Sequence, residues 1–258
     1  MDSVNKTLYI PLYGKAYVSK MGLLLRDPDA EAIWDLAGIP LKGKAASKWL
    51  AFSMAMRGKV FDVWTENKLR EHPDAVVLHL GCGLDSRCCR VECENPWFDV
   101  DLPPVIAERK RHFAESAHYH MVGADLRDAQ WLESLPTGRA IVVMEGVSMY
   151  LTGPERQALL KNLKAHFAQV QLLMDAYTVF AARATKYKNP INEVGVTQVY
   201  GFDDPREPAE GTGMRFAGEL ELTPETLIQQ LPPKEQGFFR AMFAGRLAKK
   251  IYRLYEYR

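Results

Sequence analysis

Three acidic side chains each stand near the end of an apolar run. Asp101 ends WFDVD, Asp125 lies in VGADLRD, and Glu145 follows AIVVM. Any one of them alone could simply cap the next helix. Because the carboxyl ends of parallel strands lie at one edge of a sheet, the three together predict a row of carboxylates at a ligand site on that edge.

A glycine-rich turn precedes these acids, in VVLHLGCGLDSRCCR from Val76 to Arg90. Gly81 and Gly83 let the backbone adopt positive φ and come close to a ligand, and a following helix offers unpaired N–H groups. The turn departs from GxGxxG at its third glycine, where Ser86 stands, so it matches a dinucleotide site imperfectly. A plain tight turn is the alternative interpretation.

The acids separate two possible nucleotides. Asp101 lies about 20 residues beyond the glycine turn, where an acid commonly binds ribose hydroxyls, and both NAD and S-adenosylmethionine carry that ribose. Further carboxylates at positions 125 and 145 suit an adenine amino group and a sulfonium cation, whereas they would repel a pyrophosphate. The pattern therefore favours S-adenosylmethionine over NAD.

The surrounding pattern predicts an α/β fold with a parallel sheet. Between the strands, helices are predicted over Pro103–Ala117 and over Thr152–Phe167, where Thr152 caps and Glu155 follows three residues later. Five apolar runs predict strands: Ala75–Leu80, Trp97–Val100, Tyr119–Val122, Ala140–Met144 and Val170–Met174. Before the first strand, a helical segment is predicted over Lys42–Leu69. After the fifth strand, the pattern predicts a long loop through NPINEVG and GFDDPREPAEGTG and a sixth strand over Met214–Leu222. Helices over Thr223–Leu231 and Gly237–Lys249 and a last strand in KKIYRLYEYR follow.

Composition excludes several classes of partner. The 258 residues fit one domain, and a net charge of +1 with 25% charged residues does not favour a nucleic acid or an anionic membrane. The N-terminus lacks a secretory signal pattern, so the expected location is the cytoplasm. Cysteines crowd into one window without a CxxC pair or a histidine at ligand spacing, which predicts buried thiols and no metal site. They are Cys82, Cys88, Cys89 and Cys93.

Several motifs in order closely resemble the leucine carboxyl methyltransferase superfamily, which includes bacterial polyketide-type O-methyltransferases. They are LHLGCGLDSR (78–87), VDLPPVI (100–106), GADLRD (123–128) and EGVSMYLTGPE (145–155). The N-terminal YIPLYGKAYVSK and the arginine of AMRGKVFD also match, and the likeness becomes thin after about residue 180. The order of the motifs is specific, whereas no single motif is.

The resemblance implies a class I methyltransferase, Rossmann-like fold. Its sheet would have seven mostly parallel strands with an antiparallel last strand, in one domain with a helical lid over 1–72 and a core over 73–258. It implies S-adenosylmethionine as cofactor. Carried over by position, the implied contacts are Lys20 and Arg57 for the methionine carboxylate; Gly81, Cys82 and Gly83 for the loop under the cofactor; Asp101 and Leu102 for the ribose; Asp125 and Leu126 for the adenine; and Glu145 for the amino group and sulfonium.

The chain departs from the family pattern beside the cofactor. His79 stands where the family usually has Asn or Gln, and Cys82 stands where Ala is common. Cys88 and Cys89 replace a pair of residues that is normally bulky. These changes alter packing and polarity, so we expect them to affect affinity more than chemistry.

Methyl transfer is an in-line displacement, so the protein mainly supplies alignment. A carboxylate acceptor needs no base, a hydroxyl acceptor would need one, and the histidines stand in surface or structural contexts. We therefore expect a small-molecule acceptor with a carboxylate or an acidic hydroxyl, held near Tyr150, Tyr13 and Lys20. The alternatives are a protein C-terminal carboxylate as acceptor, a non-catalytic cofactor-binding protein, and an NAD-dependent oxidoreductase.

Overall fold

The computed structural model describes residues 8–38, 41, 43–185 and 198–258. The strands in these ranges are β1 (Val76–Leu80), β2 (Trp97–Asp101), β3 (Tyr119–Gly123), β4 (Arg139–Met144), β5 (Gln169–Tyr177), β6 (Phe216–Leu220) and β7 (Tyr252–Tyr257). They form one sheet in the order β3-β2-β1-β4-β5-β7-β6. Strands β1 to β5 are parallel, and β7 lies antiparallel to both β5 and β6. The predicted sheet with an antiparallel last strand is confirmed.

Helices cover the sheet and connect its strands. Their bounds are α1 (Tyr9–Lys20), α2 (Pro28–Ala37), α3 (Lys48–Glu71), α4 (Arg87–Arg90), α5 (Pro103–Arg109), α6 (Gly153–His166), α7 (Val179–Ala184), α8 (Glu225–Ile228), α9 (Pro233–Phe243) and α10 (Gly245–Lys249). A 3₁₀ turn at Ser148–Tyr150 follows β4. No helix within the described ranges has the length and apolar character needed to span a bilayer.

The centre of the sheet is buried on both faces. Every residue of β1 is buried, as expected for a parallel strand between helical layers. Leu78 packs in the same cluster as Leu160 of α6, whereas its neighbour Val77 packs with Phe61 of α3 on the other face. Each such side chain stabilises the fold by roughly 1.5–3 kcal/mol through burial.

Three predicted helices differ from expectation. The helix predicted over Thr223–Leu231 spans only Glu225–Ile228. The helix predicted over Pro103–Ala117 ends at Arg109, because Glu115 turns back to accept a hydrogen bond from the Met121 N–H (2.8 Å) within β3. The helix predicted over Gly237–Lys249 is divided between α9 and α10, where Gly245 adopts a left-handed φ of +67°. The predicted loop NPINEVG lies outside the described residues.

The helical segment predicted over Lys42–Leu69 corresponds to α3, which begins only at Lys48, after a Ser47 cap. Helix α1 crosses α3 so closely that a Cβ at Gly14 would lie 2.9 Å from the Met54 Cβ. A second glycine, Gly58, lies against the aliphatic end of Lys15, with an added Cβ 3.0 Å from its Cε. These two small residues let α1 bring Lys15 against α3. The division into lid and core stays a prediction.

Candidate functional site

The glycine turn lies where β1 ends, beside β2 and the segment after β4. Gly81 and Gly83 have φ of +65° and +53°, and the Gly81 N–H donates to the Val100 carbonyl (2.7 Å). A Cβ at position 81 would lie 2.2 Å from Cγ2 of Val147. Only glycine fits there, because both the backbone conformation and the space exclude a side chain.

The Asp101 carboxylate connects this turn to the end of β2 through hydrogen bonds. Its Oδ2 accepts from the Gly83 N–H (2.8 Å) and its Oδ1 from the Leu102 N–H (2.7 Å). Burial raises the pKa of Asp101, and these two N–H groups oppose the rise. The carboxylate is held in one orientation beside the turn, with lone pairs left for ligand hydroxyls.

Glu145 lies at the end of β4 among three buried cations. Its carboxylate is 3.0 Å from Arg57 Nε and 3.8 Å from Lys15 Nζ, and it also accepts from Arg87. Burial would raise the pKa of Glu145, but Lys15, Arg57 and Arg87 hold it well below its usual range. Lys15, Arg57, Arg87, Asp85 and Glu145 are named the buried charge cluster below. Glu145 is therefore ionised at neutral pH.

Lys15, and not Lys20, is the lysine that the structure brings to Arg57 and Glu145. Lys20 is 43% exposed and pairs with the surface residue Asp35, whereas Lys15 is 2% exposed and lies 2.7 Å from Asp85 Oδ2. The predicted grouping of Lys20 with Arg57 is thus corrected. The signal was in the sequence, because a helical period places Lys15 on the buried face of α1 and Lys20 at its last turn.

Arg87 is a further member of the cluster, and the sequence pattern assigned it no contact. It is fully buried, with Nε 2.7 Å from Asp62 and Nη1 3.3 Å from Asp85. Burial would lower the pKa of Arg87, but Asp85, Glu145 and Asp62 raise it. Two of its partners, Asp62 in α3 and Glu145 after β4, are far from Arg87 in sequence, so local sequence did not reveal them.

His79 connects the buried charge cluster to β2. Its Nε2 is 3.1 Å from Arg87 Nη1, and its Nδ1 is 3.2 Å from Asp99. Since arginine can only donate, these partners assign Nε2 as acceptor and place the proton on Nδ1. Asp99 in turn pairs with Arg109, whose Nη1 donates to the Gly83 carbonyl (3.1 Å). The glycine turn is thus held from both its N–H and its carbonyl side.

A second carboxylate, Asp175 in β5, adjoins Arg57. It accepts from the Gly146 N–H (2.8 and 2.9 Å) and from the Tyr252 hydroxyl (2.6 Å), and it lies 3.2 Å from Arg57 Nη1. Burial raises the pKa of Asp175, although these three partners act to lower it. The predicted strand stopped at Met174, so Asp175 was missed, although an acid inside an apolar strand is itself a signal of a buried partner.

Tyr150 lies close enough to Arg57 and Asp175 for both charges to act on its hydroxyl, while 40% of the residue is exposed. Desolvation raises the pKa of Tyr150 to about 12, so it is protonated at neutral pH. Tyr13 is in a different setting. Its hydroxyl donates to the Ala46 carbonyl (3.2 Å), and its ring packs against that of Trp34 at 5.0 Å.

The remaining predicted contacts lie at the end of β3 and in the glycine turn. Asp125 is partly exposed, and its carboxylate accepts from the backbone N–H (3.0 Å) and the Nε (2.9 Å) of Arg127. Leu126 packs at the margin of the core. Cys82 is buried, and burial raises its pKa well above the usual range. Within the described ranges, no group of three or more potential ligand side chains could hold a metal ion.

These residues fit a ligand that carries both a diol and a cationic centre. The turn at Gly81 leaves no room for a side chain, Asp101 faces it from β2, and the ionised Glu145 adds negative charge at the neighbouring strand end. Basic groups of Lys15 and Arg57 beside Glu145 match a carboxylate on the same ligand. The site is chemically suited to S-adenosylmethionine.

Comparison with known proteins agrees with this site. Residues 18–164 match the family model of leucine carboxyl methyltransferases. The chain is 32% identical to the tetracenomycin polyketide synthesis O-methyltransferase TcmP of Streptomyces glaucescens, over 92% of this chain and 89% of the relative. It is 30% identical to the S-adenosyl-L-methionine-dependent methyltransferase dpfgK of Gibberella zeae, over 64% of this chain and 61% of that one.

Solved structures share the fold. A protein from Thermobifida fusca YX superposes with a TM-score of 0.60 at 15% identity, over 95% of this chain and 93% of the other. Magnesium protoporphyrin IX methyltransferase from Synechocystis PCC 6803, solved with S-adenosylhomocysteine, superposes with a TM-score of 0.52 at 12% identity. The match covers 88% of this chain and 92% of the other. The chain belongs to the leucine carboxyl methyltransferase family, and it is a methyltransferase that depends on S-adenosylmethionine.

Proposed function

We propose that the enzyme methylates a carboxylate on a small molecule. The relative TcmP is named for polyketide synthesis, which supports a small-molecule acceptor for this chain as well. The observation that carries the carboxylate is the setting of Tyr150, a protonated hydroxyl beside Asp175, an acid that is buried and already accepts hydrogen bonds.

The cofactor side uses the residues described above. Asp101 would bind the ribose diol, the segment of Asp125 and Leu126 the adenine, and Glu145 the amino group. Lys15 takes the role first assigned to Lys20, and with Arg57 it would bind the methionine carboxylate. When bound, the cofactor supplies an activated methyl group on a sulfonium.

The acceptor side offers a donor rather than a base. Tyr150 keeps its proton because its pKa is about 12, whereas the Tyr252 hydroxyl already donates its proton to Asp175. Asp175 is the carboxylate bonded to Tyr252, but it is fully buried and already accepts from Gly146 and Tyr252 beside Arg57. The Tyr150 hydroxyl would orient an anionic acceptor, and a carboxylate is already a nucleophile without proton removal.

A matched pair of acceptors tests this proposal. An aromatic carboxylic acid and the phenol of the same ring system would be incubated with labelled S-adenosylmethionine, and the methyl ester and methyl ether would be quantified. We expect the ester, with a rate nearly constant from pH 6 to about pH 8, because a carboxylate of pKa near 4 is ionised throughout. Ether formation with a rate that rises over this range would instead show an acceptor that needs a base. Methylation of a peptide C-terminal leucine, but of no small acid, would favour the protein acceptor.

The Tyr150→Phe variant distinguishes a role in acceptor binding from a role in cofactor binding. Loss of one hydrogen bond to a charged acceptor should lower kcat/KM by about tenfold, while the Kd of S-adenosylhomocysteine stays unchanged. An unchanged kcat/KM would remove Tyr150 from the acceptor site.

A further inference from the structure

Cys88 and Cys89 form a vicinal thiol pair that the methyl-transfer site does not use. Both lie in α4, with their sulfur atoms 3.8 Å apart. Cys89 is exposed, whereas Cys88 is half-buried and accepts a hydrogen bond from Arg109 Nη2 at 3.5 Å. The sequence predicts buried thiols here, and for Cys89 that prediction is wrong.

Cys89 forms part of the wall of a surface cleft of about 360 Å³ between the start of α2, α3 and α4. The cleft is also lined by Arg26, Asp29, Lys59 and Glu66. Neither Arg26 nor Lys59 forms an ion pair within the described ranges. A small ligand that enters this cleft meets a thiol, two cations that can bind its carboxylates, and the acids Asp29 and Glu66.

The geometry of the pair distinguishes the two thiols. Cys88 is the less exposed, so ionising it would bury a charge, whereas the Cys89 sulfur faces solvent. In that contact Cys88 donates to Cys89 when Cys89 is the thiolate, and Cys89 is the more accessible sulfur. The pKa directions agree, because the contact with Cys88 lowers the pKa of Cys89 more than burial and Asp29 raise it, while that contact and then burial raise the pKa of Cys88. Since the thiolate is the reactive form, Cys89 is the nucleophile of the pair.

We propose that Cys89 is a thiol-modification site that takes small, carboxylate-bearing disulfides, with Cys88 as the neighbouring donor that stabilises its thiolate. The Cys89 thiolate attacks one sulfur of the incoming disulfide, so a Cys89–S–S–R bond forms and the original S–S bond breaks. The leaving thiolate takes up the proton that Cys89 released. One disulfide is exchanged for another, and no further oxidant is required.

Intact-mass spectrometry with peptide mapping locates the modification. The full-length enzyme would be incubated near neutral pH with glutathione disulfide, and in parallel with neutral bis(2-hydroxyethyl) disulfide. We expect one reducible adduct on Cys89, its loss in Cys89→Ser, and no change in Cys93→Ser. Initial modification of Cys93, or absence of any adduct while the same protein remains folded by circular dichroism, would overturn the proposal.

Two further variants test the roles of Cys88 and of the cleft. In Cys88→Ala, the rate of adduct formation at neutral pH should fall by about three- to tenfold, and the inflection of the alkylation rate against pH should move upward. Arg26→Gln combined with Lys59→Gln should slow the reaction with glutathione disulfide severalfold but leave the neutral disulfide unaffected. An unchanged inflection in Cys88→Ala, or equal slowing of both disulfides, would contradict these roles.

Discussion

Lys15 and Lys20 share helix α1 but differ in surroundings, and this difference can be measured. Lys15→Ala should raise the Kd of S-adenosylhomocysteine by about 10- to 100-fold, the effect of losing a charge-assisted hydrogen bond in a buried site. Lys20→Ala should change that Kd by less than about twofold, because an exposed ion pair contributes little. Titration calorimetry on both variants provides the comparison. Equal losses in the two variants would contradict the assignment of Lys15.

Asp99 makes the stability of the enzyme depend on acid pH. Burial would raise its pKa, but Arg109 and His79 hold it at about 2, against 3.8 in the unfolded chain. The carboxylate therefore stabilises the fold above about pH 4, and this contribution of about 2 kcal/mol is lost as the pH falls towards 2. Urea unfolding between pH 5 and about pH 2 should show this loss, and Asp99→Asn should make the pH dependence shallower. An identical slope in both proteins would exclude Asp99 as its source.

Single residues were predictable where a local signal marks them. Asp101 and Glu145 directly end or follow apolar strands, and Gly81 stands in a turn with a characteristic composition, so sequence pattern was enough to select them. Lys15 and Arg87 were not selected, because what makes them functional candidates is their burial against acids from other elements. A charged residue carries no sequence mark that separates a solvated side chain from a buried one.

At the scale of the element, the turn after β1 combines backbone strain with a steric limit. Gly211 offers a matched control, because it has a similar φ of +69° but no atom within 4 Å of an added Cβ. Gly211→Ala should lower the free energy of unfolding by about 1–2 kcal/mol, from the left-handed conformation alone. Gly81→Ala should lower it further, and it should weaken cofactor binding, because the added Cβ would press on Val147.

Urea denaturation and calorimetry of the two alanine variants separate these effects. Equal destabilisation in both, with cofactor affinity retained in Gly81→Ala, would mean that the turn relaxes around the new side chain.

Helices followed the sequence pattern where their ends were locally encoded. Thr152 and Glu155 form the predicted capping box of α6, with the Thr152 N–H 2.7 Å from the Glu155 carboxylate. Helix α5 ended earlier than its pattern predicted, because Glu115 bonds to the backbone of β3 instead of extending the helix. The competing contact is tertiary, so a window of neighbouring residues does not contain it.

At the scale of the whole molecule, cofactor binding should stabilise the fold measurably. The site joins α1, α3, β1, β2 and β4, so a ligand that binds only the folded state raises the free energy of unfolding. S-adenosylhomocysteine at a hundredfold excess over its Kd should contribute about 2.7 kcal/mol, which corresponds to an increase of about 5–10 °C in Tm.

Differential scanning fluorimetry with S-adenosylhomocysteine and NAD in parallel measures this stabilisation. NAD should leave Tm unchanged. A shift with NAD alone would contradict the ligand chemistry argued for Glu145.

Much of the fold was predictable because alternating strands and helices permit few arrangements, and the ordered family motifs selected one of them. The pairing of β7 with both β5 and β6 could not be predicted from the sequence pattern, since apolar patterning identifies a strand but not its neighbours. Only the direction of this strand was expected, and that came from the resemblance.

The place of β7 between β5 and β6 has a consequence for synthesis on the ribosome. Residues 252–257 are translated after the strands on both sides of them, so β6 has no strand partner in this sheet until they emerge. Tyr252, which bonds both Arg57 and Asp175, arrives in the same step. A nascent chain that lacks this strand therefore exposes an unpaired edge of β5 together with an incompletely satisfied buried acid, so the sheet and the site are completed at the same late moment of translation.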